Sequence, residues 1–156
     1  MPKITPFLWF DDQAEEAARF YVSIFKNSKI GDISRYTEAG PGPVGSAMVV
    51  AFELDGQRFD ALNGGPTFAF TEAVSFTVDC ETQAEVDYFW TALSAGGETS
   101  QCGWLKDRYG LSWQIVPAAL PRIMSNPDPA KVKRAMEAMF TMTKLDIAAL
   151  EAAAEG

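Results

Sequence analysis

The 156-residue chain contains no histidine, and this decides much of the chemistry that it can perform. A Ser-His-acid triad, a Cys-His pair, a histidine general base and a histidine-ligated metal all need an imidazole, so each is excluded within the chain. Two cysteines, Cys80 and Cys102, form neither a CxxC motif nor a disulfide framework. Cys102 is a candidate nucleophile because Lys106 and Arg108 are near it in sequence, and a buried structural thiol is the alternative for both cysteines.

Asp60 and Gln114 are the strongest candidates for a polar site, because they occupy matching positions in two similar predicted strands. We expect the two side chains to face each other across one cleft. If both are buried, Asp60 is a candidate catalytic acid or base. A hydrogen-bonded interior carboxylate is an equally good interpretation, and the sequence leaves the two open. The run Lys106-Asp107-Arg108 favours a turn with a solvated charge cluster over a substrate clamp.

Residues 40–45, Gly-Pro-Gly-Pro-Val-Gly, match the GxGxxG pattern of nucleotide-binding loops. Such a loop needs free backbone N–H groups and a helix directly after it. Pro41 and Pro43 remove two donors, and residues 46–52 have the pattern of a strand. The pattern therefore predicts a mobile loop beside the cleft, with no nucleotide cofactor and no methyltransferase activity by this chain alone.

The charge balance restricts the partners. With 21 acidic against 13 basic residues the formal net charge is −8, which argues against nucleic acid and anionic membranes. A neutral or cationic small ligand is compatible with this charge. The first ten residues lack the apolar stretch of a signal peptide, and no run approaches eighteen apolar residues. We therefore expect a soluble, cytoplasmic protein.

The elements that position these residues alternate between strands and helices. A β-prone run at 3–10 ends at a turn, where Asp12 is expected to cap the following helix. Asp55-Gly56 is typical of a hairpin turn. The first half therefore predicts strand, helix, strand, strand, strand, at residues 3–10, 13–26, 29–37, 46–54 and 57–62.

The second half repeats this order. Thr82 is expected to cap its helix, and the elements lie at 73–79, 83–93, 98–102, 103–108 and 111–116. Gln13-Ala14-Glu15 recurs 70 positions later as Gln83-Ala84-Glu85, and Asp55-Gly56 is echoed 54 positions later by Tyr109-Gly110. We predict an α+β fold of two paired βαβββ modules, at about 3–66 and 72–117, within one domain spanning 1–120.

Residues 121–156 are predicted to form a helical extension. Helices are expected at 130–140 and 146–154, the second capped by Asp146. Met136, Met139 and Phe140 suggest an apolar face that covers the modules or a partner subunit. A ligand-facing methionine patch is the alternative.

Several motifs together resemble the PhnB-like branch of the glyoxalase/bleomycin-resistance (vicinal oxygen chelate) superfamily, whose members often carry the name 3-demethylubiquinone-9 3-methyltransferase. The resemblance covers nearly the whole chain, including the tail. It implies paired βαβββ modules whose curved mixed sheet encloses a cleft, and it implies a homodimer. The motifs that carry it are Asn63-Gly64-Gly65-Pro66, Thr71 to Phe76, Cys80 to Asp87, Gln101 to Asp107 and Gly110 to Pro117.

The resemblance also implies four strand positions that hold a divalent metal in the superfamily's enzymes. Carried over one by one, they fall on Thr5, Asp60, Ala73 and Gln114. Asp60 is a good ligand, Gln114 is a neutral oxygen donor, Thr5 is a poor one and Ala73 has no donor atom. We therefore expect no cofactor, and the alternative is one divalent metal ion held weakly by Asp60 and Gln114.

Aromatic residues on the predicted strands suggest an apolar cleft suited to flat ligands, although each ring could equally be core. The favoured hypothesis is a dimeric protein that binds a flat, apolar, neutral or cationic small molecule without catalysis. The alternatives are a metal-dependent lyase, isomerase or dioxygenase, and an interaction protein that uses the methionine-rich tail. The expected ligand-cleft residues are Thr5, Phe7, Trp9, Asn63, Trp104, Trp113 and Gln114, with Asp60 as the catalytic and metal-binding candidate.

Overall fold

The computed structural model describes residues 2–156 and contains two compact units, the first ending at Phe70 and the second spanning Thr71–Gly156. Each unit is built on one four-stranded sheet. No helix in the described part of the chain is long and apolar enough to cross a membrane. The elements are β1 (Phe7–Phe10), α1 (Ala14–Ile24), β2 (Lys29–Arg35), β3 (Ala47–Leu54), β4 (Gln57–Asn63), β5 (Ser75–Cys80), α2 (Gln83–Ser94), β6 (Glu98–Thr99), β7 (Trp104–Lys106), β8 (Ser112–Pro117), α3 (Ala119–Met124), α4 (Pro129–Met139) and α5 (Ile147–Glu155).

The first sheet has the strand order β1-β4-β3-β2. β1 pairs parallel to β4 with Phe7 opposite Asp60, and the other two pairings are antiparallel. α1 covers one face, because its small and aromatic side chains recur at helical spacing and are buried against β3 and β4. These α1 side chains are Ala14, Ala17, Ala18, Tyr21 and Ile24. The predicted strand-helix-strand-strand-strand order of module one is confirmed.

The start of α1 differs from the prediction. Asp12 does not cap the helix, which begins after Gln13 and has no side-chain cap from that residue. The Oδ1 atom of Asn63, at the end of β4, accepts the hydrogen bond from the Ala14 N–H at 2.8 Å. A residue 49 positions away thus satisfies a helix-end donor that we assigned to a local aspartate.

The second sheet has the equivalent order β5-β8-β7-β6. β5 pairs parallel to β8 with Thr77 opposite Gln114, and β7 pairs antiparallel to β6 and β8. Thr82 caps α2 as predicted, since its hydroxyl accepts from the Glu85 N–H at 3.2 Å. β6 and β7 are shorter than expected, because a turn at 101–103 separates them.

The C-terminal extension belongs to the second unit. Its two predicted helices are present as α4 and α5, and Asp146 caps α5 as predicted through the Ala149 N–H at 3.0 Å. The sequence analysis missed α3, a short helix that directly follows β8 and packs against α4 and α5.

Candidate functional site

Each sheet has one face packed against helices and one open face, and strand alternation decides which side chains lie on each. In β1, Leu8 and Phe10 are buried towards α1, whereas Phe7 is exposed and Trp9 half-buried on the other side. Asp60 is paired with Phe7, so it shares that open face. The open face of the first sheet therefore combines two aromatic rings with one carboxylate.

Asp60 is the only carboxylate among the predicted site residues. Its side chain is 15% exposed, and its Oδ1 atom lies 3.3 Å from Nη2 of Arg58. Thr5 is half-buried and lies two residues before Phe7, the strand partner of Asp60. The Trp9 indole is fixed by a hydrogen bond of 2.9 Å from its Nε1 to the Gly65 carbonyl and by an edge contact with Phe68. The aromatic part of this face is therefore held in place.

The open face of the second sheet is more polar. Gln114 is paired with Trp104 on one side and Thr77 on the other, so all three share this face. The Gln114 Nε2 donates to the Ser75 hydroxyl at 2.9 Å. This hydrogen bond leaves the Gln114 carbonyl oxygen as the natural acceptor for a ligand.

Lys106 and Glu72 form an ion pair beside this polar face. The hydrogen bond from Lys106 lowers the pKa of the Glu72 carboxyl, and the same bond raises the pKa of Lys106. Ser112 lies between these groups, since it is paired with both Ser75 and Lys106. Its hydroxyl is fully buried and has no hydrogen-bond partner among residues 2–156.

Two of the predicted cleft residues lie on the helix-packed faces. Asn63 shares a face with Phe59 and Ala61, and its amide is engaged on both sides, with the Ala14 N–H and with the Ala47 carbonyl. Trp113 is 3% exposed and donates from its Nε1 to the Asp107 carboxylate at 2.9 Å. Both side chains position other elements and lie away from the open faces, and whether either contacts a ligand stays a prediction.

Asp107 also differs from the prediction of a solvated charge. It is 3% exposed, and its carboxylate accepts from the backbone N–H groups of Tyr109 and Leu111 as well as from Trp113. These bonds hold the turn between β7 and β8. The pattern Asp-x-x-Gly at 107–110 is a turn signal that could have indicated this role.

The strand register changes one of the four positions carried over from the superfamily. Asp60 is opposite Phe7 and Gln114 is opposite Thr77, so Thr5 corresponds to Ser75 and not to Ala73. The four positions then offer one carboxylate, one amide and two hydroxyl oxygens. No cluster of three or more His, Cys, Asp or Glu side chains that could hold a metal occurs between residues 2 and 156.

The two cysteines have different environments. Cys80 is fully buried, and burial raises the pKa of its thiol to about 12, with smaller contributions from Glu85 and Asp79. Cys102 is half-buried at a positive φ of 59°, and its N–H donates to the Met142 carbonyl. The structural interpretation therefore fits Cys80.

The glycine- and proline-rich loop at 40–45 is followed by strand β3, as predicted, and not by a helix. The loop closes one side of a cavity of about 310 Å³ that lies wholly within the first unit. The sequence analysis missed this cavity, because the residues around it come from three separate stretches of the chain, 11–12, 36–47 and 63–65.

Comparisons with known proteins agree with this architecture. The family profile described as 3-demethylubiquinone-9 3-methyltransferase matches residues 2–116. A solved Bacillus cereus PhnB protein, also described as a 3-demethylubiquinone-9 3-methyltransferase, is 41% identical with a TM-score of 0.69, covering 75% of this chain and 100% of its own. No curated protein matches the chain.

Two further solved structures share the fold at low identity. A protein from Pseudomonas aeruginosa is 18% identical with a TM-score of 0.62, covering 75% of this chain and 98% of its own. The fosfomycin resistance protein of Listeria monocytogenes is 12% identical with a TM-score of 0.58, covering 80% of this chain and 98% of its own. With its two βαβββ modules and the match over residues 2–116, the chain belongs to the PhnB-like family described as 3-demethylubiquinone-9 3-methyltransferase.

Proposed function

We propose that this chain is a small-molecule-binding protein that holds a flat, apolar ligand of neutral or positive charge against the open face of its first sheet, without catalysis. The observation that carries this proposal is the segregation of side chains on the first sheet. Phe7 and Trp9 stand beside Asp60 on the face that α1 does not cover. Aromatic rings next to one polar group are typical of sites for flat organic molecules.

The donor set supports binding without a metal cofactor. Imidazole and carboxylate ligands suit transition metals, and hard cations need several charged or strongly polar oxygens. The positions equivalent to the superfamily's metal ligands carry one carboxylate, and that carboxylate is already paired with Arg58 at 3.3 Å. Thr5, Ser75 and Gln114 supply neutral oxygens at most. This set does not fit a tightly held transition ion.

The alternative is a lyase, isomerase or dioxygenase whose metal is held by Asp60 and Gln114 and completed by water. The observation in its favour is that Gln114 has its carbonyl oxygen available while its amide nitrogen donates to Ser75. The family's methyltransferase name finds less support, because Pro41 and Pro43 remove donors from the GxGxxG-like loop and β3 follows it.

Native mass spectrometry separates binding from metal chemistry. The protein is incubated with nickel, manganese, zinc and iron ions and compared with Asp60→Ala and with the control Asp79→Ala, which removes an exposed carboxylate from β5. We expect no ion to be retained by any of the three proteins. One ion per chain that is lost in Asp60→Ala but kept in Asp79→Ala would establish the metalloenzyme alternative.

A second experiment tests ligand binding and methyltransferase activity on the same protein. A set of aromatic neutral and cationic compounds is screened by tryptophan fluorescence, and the same protein is assayed for methyl transfer from S-adenosylmethionine to a demethylated quinone. We expect saturable fluorescence changes that Asp60→Ala alters in ligand preference, and no methyl transfer. Methyl transfer by the purified chain would contradict the proposal.

We also propose that the protein is a homodimer that works in the cytoplasm. The support is the set of apolar side chains exposed on and before β1, including Phe7, together with the net charge of −8, which favours solubility.

A further inference from the structure

We propose that the cavity of about 310 Å³ at one end of the first sheet is a second binding site, and that its ligand is a small organic cation with a flat apolar body. The cavity lies where the parallel strands β1 and β4 end, and the loop between β2 and β3 forms its opposite wall. Its volume is at the lower end of the range for small-molecule sites.

The strand side of the cavity has few free hydrogen-bond donors. The Gly64 N–H donates to the Phe10 carbonyl at 2.8 Å, and the Gly65 N–H donates to the Asp11 carbonyl at 3.1 Å. The Asn63 Nδ2 donates to the Ala47 carbonyl at 3.1 Å. These donors are therefore already engaged inside the protein.

The loop side of the cavity also has few free hydrogen-bond donors. The Ser46 N–H and hydroxyl both donate to the Pro43 carbonyl, at 3.1 and 2.5 Å. Pro41 and Pro43 have no N–H, and the Tyr36 hydroxyl donates to the Asn63 carbonyl. A phosphate or carboxylate ligand would find too few donors here, which is the opposite of what a GxGxxG loop offers when it binds a nucleotide.

The unengaged polar groups of the cavity are negative. Asp11 and Asp12 both line it and are exposed, and neither takes part in an ion pair among the described residues 2–156. None of the described residues that line the cavity is a lysine or an arginine. Arg35 stands at the edge of the loop, where its guanidinium donates to the Gly45 carbonyl at 3.3 Å. A cavity with charged acceptors and few donors complements a ligand that brings its own N–H donors and a positive charge.

The remaining walls favour a flat, apolar body attached to that charge. Tyr36 is 7% exposed, and its ring packs against Gly40 and Gly42, where a Cβ atom would overlap it, so the ring supports the loop wall from behind. The rings of Pro41 and Pro43 add apolar surface on the same side. An aromatic or alicyclic ammonium or amidinium fits this combination.

This site is separate from the open-face site of the proposed function. Asp60, Phe7 and Trp9 are not among the residues that line the cavity. The inference therefore stands or fails independently of whether a ligand binds on the open faces.

The test uses three probes of similar shape and different charge: benzylammonium, benzyl alcohol and benzoate. Each is titrated into ¹⁵N-labelled full-length protein, and the backbone amide signals of Tyr36, Gly42 and Ser46, which line the cavity, report on it. We expect benzylammonium to shift these signals with an affinity at least about tenfold above that of benzyl alcohol, because charged hydrogen bonds contribute more than neutral ones. Benzoate should bind more weakly than either, and added salt should weaken benzylammonium.

The variant Asp11→Asn/Asp12→Asn keeps the shape of the cavity and removes its charge. We expect it to weaken benzylammonium by about tenfold or more. The control Glu38→Gln, in the same loop but outside the cavity lining, should stay within about twofold, since Glu38 cannot hydrogen-bond to a ligand in the cavity and acts on it only through solvent-screened charge.

Four results would overturn the proposal: equal binding of benzyl alcohol, preferred binding of benzoate, unchanged binding by the double variant, or shifts centred on Phe7 and Leu62 of the open face. The absence of any benzylammonium shift would overturn it as well. The amide spectra themselves show whether each variant is folded.

Discussion

The two thiols of this chain illustrate how burial decides reactivity at the scale of single residues. Cys80 lies at the end of β5 with its side chain fully buried, and its pKa is raised to about 12, chiefly by burial. The thiolate, which is the reactive form, is therefore strongly disfavoured at Cys80 at pH 8. Cys102 is half-buried and more accessible to reagents.

Native alkylation should therefore modify one thiol and not two. We expect iodoacetamide at pH 8 to add one adduct per folded chain, at Cys102, and two adducts after unfolding in guanidinium chloride. Mass spectrometry of the intact protein measures both. The variant Cys102→Ser should remain unmodified while folded, and rapid labelling of that variant would show that Cys80 is accessible.

The raised pKa of Cys80 also makes the stability of the folded protein depend on pH. The folded pKa of about 12 is above the ordinary thiol value of 9.0, so between these two pH values the folded protein keeps a proton that the unfolded chain releases. The stability contribution of the neutral thiol is thus complete below pH 9 and is lost as the pH rises through 9 towards 12.

Residue types in the candidate site could be predicted from the sequence, but the faces on which they lie could not. Gln114 and Trp113 are neighbours in β8, yet one lies on the open face and the other is buried against Asp107. Because side chains alternate in a strand, one residue of register decides between a ligand contact and a core contact. Asp60 and Asn63, both in β4, were predicted to line one cleft. They are three residues apart in the strand and therefore lie on opposite faces of the sheet.

At the scale of elements, the second copy of the repeated Gln-Ala-Glu motif connects two helices through the side chain of Gln83. The Gln83 Nε2 donates to the Leu145 carbonyl at 3.1 Å, and its Oε1 accepts from the Ile147 N–H at 2.8 Å. This side chain therefore joins the start of α2 to the start of α5. Gln13, its counterpart in the first module, is exposed and makes no side-chain cap.

The repeat supplies its own control for a stability experiment. We expect Gln83→Ala to lower the free energy of unfolding by about 1–3 kcal/mol, since three side-chain hydrogen bonds are lost, to Asp87, Leu145 and Ile147, and partly buried groups remain unpaired. Gln13→Ala should change it by less than about 0.5 kcal/mol. Urea denaturation measures both, and hydrogen exchange should become faster in α5 of Gln83→Ala alone. Equal effects of the two variants would show that Gln83 does not anchor α5.

Local signals in the sequence predicted element boundaries well where the partner was also local. Thr82 and Asp146 cap the helices that directly follow them, three residues from the N–H groups that they accept. Asp12 was expected to do the same for α1, but Asn63 from β4 takes that role. A cap that crosses 49 residues depends on how β1 and β4 pair, and no local pattern contains that information.

At the scale of the whole molecule, the exposed apolar side chains indicate where a second copy could bind. β1 and β5 are each the edge strand of their own sheet, with backbone groups that no strand of that sheet pairs. Ile4 and Phe7 before and on β1, and Val74 before β5, are among the large apolar side chains that remain exposed. The tail offers a competing surface, where Phe140 and Met136 are exposed on and after α4.

These two surfaces can be compared with a matched pair of variants, because Phe7 is 57% exposed and Phe140 is 60% exposed. We expect light scattering to show two chains per particle for the wild type and for Phe140→Asp, and one chain for Phe7→Asp. A charge placed in a buried apolar interface is costly, whereas the same charge on a solvent-exposed helix end has little effect. Dissociation of Phe140→Asp with an intact Phe7→Asp dimer would instead assign the interface to the methionine-rich tail and favour an interaction role for it. A monomeric wild type would refute the dimer outright.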